Sequence, residues 1–201
     1  MAVTEATATD VLALRDFTLD ALACDQCDGA DWYSRKRRDI VRLGRMMGVA
    51  DVTAIAIYAV LSQNAGVPEN DDNYVRFMLT GEAKGLPERI RRARLALSGD
   101  ISEALRFKNG HKVPSFFDNL LDPYGSTVGT VDRHAGDIIM GERRLTTNMI
   151  ARSHGAGYHR LEDTYAAVAA MLDMTTNEVQ AVDWVHHTVC NGGSPWLKGQ
   201  G

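Results

Sequence analysis

Asp51-Val-Thr-Ala-Ile-Ala-Ile-Tyr-Ala-Val-Leu-Ser62 is the stretch on which the fold turns. Ile55, Ala56, Ile57, Ala59, Val60 and Leu61 are apolar all the way round a helix, not along one stripe. Such a helix has no face for water and belongs in the middle of a domain. Asp51 stands where it can cap that helix. Toward the N-terminus, Asp31 precedes a run to about Met47, with Trp32, Ile40, Leu43 and Met47 inward and Arg35 to Asp39 outward. Gly48 is a natural stop. Before it, Val11, Leu14, Phe17 and Leu22 share one face of a helix over residues 10 to 22. Toward the C-terminus, a loop through Gly66 and Pro68 leads to a short helix around Tyr74 to Leu79. A basic helix follows from Pro87 to Leu97, with proline in its first turn. Asp100 with Glu103 resembles a capping box for a short helix ending near Phe107. Asn109-Gly110 turns the chain into a helix over Val113 to Leu121, and another begins after Asp132 and runs to about Met140. Leu161 to Leu172 and Thr175 to Val189 complete the set, the last opened by the capping box Thr175-x-x-Glu178. The spacing is helical throughout, with no internal repeat and no convincing strand pair. The expectation is an all-α protein of about ten helices.

The bulk numbers narrow the class. With 201 residues and 45% hydrophobic content, the chain can build one solid core or two small lobes. No apolar run is long enough to span a bilayer. The opening MAVTEATATD has acids and no apolar core, so it reads as a frayed start and not as a secretion signal. Three cysteines, an odd number, argue for a reducing interior over a disulfide framework. The net charge of −4 counts against nucleic-acid binding, which rewards cations. The charge is uneven, however. Lys84, Arg89, Arg91, Arg92, Arg94, Arg106, Lys108 and Lys112 are opposed in their span only by Glu88, Asp100 and Glu103. This basic middle is either a phosphate-binding surface or a solvated helix face.

Three local features carry chemistry in combination. Asn109-Gly110-His111-Lys112-Val113 is a tight turn at which backbone N–H groups and a helix N-terminus can meet a phosphate. Thr130-Val131-Asp132-Arg133-His134 places an acid at the mouth of a helix, where it can cap or catalyse. Leu61-Ser62-Gln63-Asn64 ends the apolar helix in polar residues, which by themselves need only terminate it.

Together these resemble the helix-hairpin-helix DNA glycosylase superfamily, the group of endonuclease III and 8-oxoguanine glycosylase. That family has a hairpin ending Gly-x-Lys, a helix, then Val-Asp-x-His. Gly110-His111-Lys112 and Val131-Asp132-Arg133-His134 match in type, order and approximate separation, and Leu61-Ser62-Gln63 resembles the end of the family's apolar helix. The match covers roughly residues 50 to 140. The whole chain is also similar to small proteins of actinobacterial phages and plasmids, through Trp32-Tyr33, Lys112-Val113-Pro114-Ser115-Phe116 and Gln180-Ala181-Val182-Asp183-Trp184. Two departures stand out. Lys108 holds the place of the hairpin's first glycine, and the iron–sulfur cysteines of endonuclease III are absent.

The resemblance implies a two-lobed helical bundle, with residues 1–50 and 135–201 in one lobe and 51–134 in the other. It implies action on the N-glycosidic bond of a damaged or modified base in DNA, without a required cofactor. The base would leave the stack and enter a cleft between the lobes. Asp132 would stabilise the cationic sugar or activate the nucleophile. Lys112 would attack the anomeric carbon and form a Schiff base, which requires a deprotonated amine. Lys108, His111 and Arg133 are its candidate cationic neighbours. Without such a setting Lys112 is a phosphate contact. Gly110, His111, Lys108 and His134 would touch DNA, and Gln63 and Asn64 would serve as wedge or base-reading amides. The phage relatives imply a phage-encoded protein working in the cytoplasm of a bacterial host. Two other classes stay open: a phage base-hypermodification transferase, and a non-catalytic DNA- or protein-binding module.

A separate set is Cys24-x-x-Cys27 with Cys190 and either His187 or His186 near the other end of the chain, His187 being the favoured ligand. Two such pairs, brought together in the lobe where the ends meet, would make a four-ligand structural zinc site. The alternative is free thiols and surface imidazoles.

Overall fold

The computed structural model describes residues 6–24, 29–107, 110–140 and 156–192. The protein is all-α: among the described residues there are ten helices and no strand. They are α1 (Ala8–Leu22), α2 (Trp32–Met46), α3 (Asp51–Leu61), α4 (Val67–Thr80), α5 (Pro87–Leu97), α6 (Ile101–Ala104), α7 (Lys112–Leu121), α8 (Arg133–Met140), α9 (Ala156–Leu172) and α10 (Thr176–Cys190).

The apolar helix is the hub. Every residue of α3 from Ala54 to Leu61 is buried, and the helix packs on α2, α4, α5, α6 and α7. Its crossing with α2 is close, because a Cβ on Gly44 would stand 2.6 Å from the Cβ of Ala54. Asp51 does not cap α3. Ala50 holds that position, and the Asp51 carboxylate pairs instead with Arg45 at 2.6 Å, pinning the turn from α2. The capping box at Thr175 and Glu178 forms in full. A second one at Thr7 and Asp10 starts α1 two residues before the expected point. Asp100 accepts from the Glu103 amide as expected, but α6 makes only a single turn. The expected short helix at Tyr74 begins at Val67, with Pro68 inside its first turn.

Buried side chains form two clusters. The larger joins α2 through α7 with Ala181 and Val185 of α10. The smaller joins α1, α8, α9 and the start of α10. The helices around each cluster are called its lobe below. Helix α2 belongs with the larger lobe because Trp32, Tyr33, Ile40 and Val41 face α3 and α7. The face expected outward also contributes: Lys36 is buried against Asp71 of α4 at 2.9 Å, while Met47 is exposed. Tyr74 of α4 adds a hydrogen bond to the Ile40 carbonyl of α2 at 2.8 Å.

Helix α10 is shared by both lobes. Gly29, just before α2, lies so near it that a Cβ would stand 2.5 Å from the Val182 Cα. Any other residue there would force the two segments apart. Tyr33 donates to Gln180 Oε1 at 2.6 Å, and Trp32 meets Trp184 edge-on at 5.3 Å. No single helix among the described residues is long and apolar enough to cross a membrane.

Candidate active site

A cavity of about 370 Å³ opens where the lobes meet. Its walls are largely aromatic, from Trp32, Tyr33, Tyr58, Phe116, Tyr158 and Trp184. His111, Lys112, Asp132 and His134 line it where α7 and α8 begin, and Ser62, Asn64, Asn70 and Gln180 add polar groups from other elements. Lys112 is the first residue of α7, and Asp132 immediately precedes α8. The Lys112 Nζ stands 3.0 Å from Asp132 Oδ2, and both residues line the cavity.

Asp132 does both things its position allows. Oδ1 accepts from the amides of His134 (2.9 Å) and Ala135 (3.3 Å), capping α8, while Oδ2 holds Lys112. Burial would raise its pKa, but the charges of Lys112 and His134 and the hydrogen bonds outweigh that and hold it below the usual carboxylate value. The residue is therefore an anion at neutral pH.

The segment leading to Asp132 is tightly held. The Tyr158 hydroxyl donates to the Gly129 carbonyl at 2.9 Å, accepts from the Val131 amide at 3.2 Å and lies 3.1 Å from Ser115 Oγ. Asn119 of α7 donates to Thr130 Oγ1 at 2.9 Å. These bonds tie residues 129–131 to α7 and fix the carboxylate relative to the lysine. Burial pushes the Tyr33 hydroxyl up to about 12, so it stays a neutral donor.

Of the other expected site residues, Gly110, His111, Asn64 and His134 line the cavity. The His111 ring packs on Tyr158 at 5.2 Å, and Asn64 adopts φ 57°, turning the chain after α3. Gln63 does not line the cavity. Its Oε1 is buried without a partner among the described residues. Lys108 falls outside the described residues. A Cβ on Gly110 would stand 3.1 Å from that of Phe107, so the turn has little spare room. Tyr58 and Tyr158 are cavity residues that the sequence reading did not single out, and Gln180 entered it only through the motif Gln180 to Trp184. Only the pairing of lobes could have revealed them, since their helices are distant in sequence.

The basic middle is largely consumed inside the protein. Arg91 and Arg92 both pair with Glu88 at 2.8 Å, Arg94 with Glu82, and Arg106 with Glu103 at 3.1 Å. Arg92 also donates to the carbonyls of Ala104 and Arg106, and Arg89 is buried, 3.5 Å from Glu69. Arg89, Arg92 and Arg94 thus join α5 to neighbouring segments, while Arg91, Arg94 and Arg106 are ion-paired at the surface with more than half of each side chain exposed.

The expected cysteine–histidine set does not assemble among the described residues. Cys27 lies outside them. The Cys190 Sγ is 3.7 Å from His186 Nε2, and the His187 ring turns to His134, with centroids 5.3 Å apart. What does converge is His134, Asp137 and His187, with one potential ligand atom from each within 4.8 Å of the others. His187 thus lies beside α8, its ring against that of His134.

No curated protein and no solved structure matches the chain. A family model does match it over residues 5–191, nearly its whole length, and the chain belongs to that family of unknown function, DUF7178.

Proposed function

We propose that the cavity between the lobes receives a nucleobase swung out of DNA, and that Asp132 and Lys112 act on its N-glycosidic bond. The observation that carries this is the Lys112–Asp132 pair, 3.0 Å apart in the wall of a largely aromatic cavity of about 370 Å³. The aromatic walls suit a planar ring, and everting a base is how enzymes reach it. As the bond between C1′ and the base breaks, the base leaves with the electron pair and the sugar becomes cationic. The Asp132 carboxylate, already an anion, stabilises that charge. Lys112 then has two routes. As a cation it holds Asp132 in place. After passing a proton to the departing base it attacks C1′ itself; the C1′–O4′ bond then breaks, O4′ takes a proton from the new nitrogen substituent, and a protonated Schiff base remains.

One observation favours a second reading, a scaffold that binds without chemistry. Both oxygens of Asp132 are already engaged, and most of the basic stretch is paired internally. With few free cations, the protein's affinity for DNA should fall only shallowly with salt.

The test uses the full chain on an oligonucleotide panel of damaged, abasic and phage-type modified bases, the last covering the hypermodification variant. Asp132→Asn should slow base release by about two orders of magnitude while sparing binding. Lys112→Ala should remove any borohydride-trapped adduct. Base release untouched by Asp132→Asn would sink the assignment, and DNA binding with no reaction across the panel would establish the second reading. The remaining implications of the phage resemblance, a phage-encoded protein acting in a bacterial cytoplasm, go with the first.

A further inference from the structure

Beside the cavity, α8 and α10 bring two imidazoles and a carboxylate together. His134 and Asp137 are three residues apart on α8 and so share a face. His187 reaches them from α10. One ring nitrogen or carboxylate oxygen from each lies within 4.8 Å of the others. Tetrahedral zinc ligands about 2.1 Å from the ion stand roughly 3.4 Å apart, a difference that side-chain rotation closes. A second observation is independent of this convergence. The Nδ1 atom of His134 is buried and has no hydrogen-bond partner among the described residues. Native proteins rarely leave a buried polar atom so, and a bound ion is one way such an atom is satisfied.

We propose that His134, Asp137 and His187 bind a divalent transition-metal ion. The donor chemistry sets the class. Two imidazoles and a single carboxylate suit zinc or iron(II), whereas magnesium and calcium want a shell of oxygens. Three protein ligands leave at least one coordination position for water or substrate, the pattern of catalytic rather than structural sites. His134 also lines the cavity, so the metal adjoins the space where a ligand would sit. The cysteines take no part. This site does not depend on the nucleobase reading, and its test needs no DNA.

The full chain, stripped with chelator, is titrated with Zn²⁺ by calorimetry and with Co²⁺ by visible absorption. The expected result is a single equivalent bound, with d–d bands and no thiolate charge-transfer band. His187→Gln and Asp137→Asn should each weaken Zn²⁺ at least about tenfold, while Cys24→Ser and Cys190→Ser leave it unchanged. Mg²⁺ in excess should not compete. No Zn²⁺ binding by the wild-type chain overturns the proposal, as does a thiolate band with Co²⁺ or binding that disappears with Cys190→Ser. Because the cobalt spectrum is read on the wild-type chain, a variant that fails to fold does not blunt the test.

Discussion

Lys36 and Asp71 meet at 2.9 Å inside the larger lobe, and Lys112 and Asp132 meet at 3.0 Å at the lobe interface. The partners are the same residue types at nearly the same distance, yet their surroundings differ. The side chains of the first pair are 5% and 8% exposed, those of the second 38% and 16%. Asp71 accepts from Lys36 on both oxygens and from the Tyr58 hydroxyl at 2.8 Å, and the ammonium lies 5.9 Å from the ring centres of Trp32 and Tyr58. That pair is closed. At the interface the lysine remains reachable from the cavity and the carboxylate is aimed by a helix start. A closed pair holds structure in place, whereas an open one can exchange its partner for a ligand.

The difference can be broken most forcefully from the buried side. Lys36→Met leaves the Asp71 carboxylate without its cation and should cost about 3–5 kcal/mol, read as a lower urea midpoint. Adding Asp71→Asn should recover much of the loss, because no unpaired charge then remains buried. If Lys36→Met alone costs under about 1 kcal/mol, the two pairs are alike after all.

Asp183 supplies the control, a fully buried carboxylate with no ionic partner among the described residues. Thr18 donates to Oδ2 at 3.1 Å and Oδ1 has no partner. Burial drives its pKa well above 3.8 despite the Thr18 bond. Its folded value is thus raised above the unfolded one. Its contribution to stability is complete below about pH 3.8 and is lost as pH rises through the folded value. Asp183→Asn should flatten that dependence, gaining on the wild type as pH increases from 4 to 7 in denaturation series.

Smaller effects belong to the open pair. Asp132→Ala removes the cap of α8 and should cost about 0.5–2 kcal/mol, whereas Asp132→Asn, still a cap, should lie near the wild type. Lys112→Met should be smallest, at most about 1 kcal/mol, since the lysine is more than a third exposed and its pair is screened. Thermal unfolding at two salt concentrations checks both.

Much of this was legible before folding. The all-round apolarity of Ile55 to Leu61 implied a central helix, and the capping box at Thr175 and Glu178 marked a helix start. Thr7-x-x-Asp10 carries the same signal and was equally readable. Motif order singled out Lys112 and Asp132, but whether they faced each other was open until the helices were placed. What stayed hidden depends on long-range partners. Lys36 sits among charged neighbours, and only the placement of α4 shows that it is buried. Arg94 meets Glu82 across a turn, so counting charges along the chain overstated the free cations. His134-x-x-Asp137 has a ligand-like spacing, but the third member lies fifty residues on and is chosen by helix packing, not by proximity to cysteines.

The sharing of α10 has a mechanical consequence. Val179 is locked into one core and Val185 into the other, with the Gly29 backbone pressed against the turn between them. Spreading the lobes would pull one end of a continuous helix out of its socket. The aperture therefore behaves as a fixed gauge and not as a jaw. Whatever enters must supply the bending itself, which favours guests that are already loose at the point of entry.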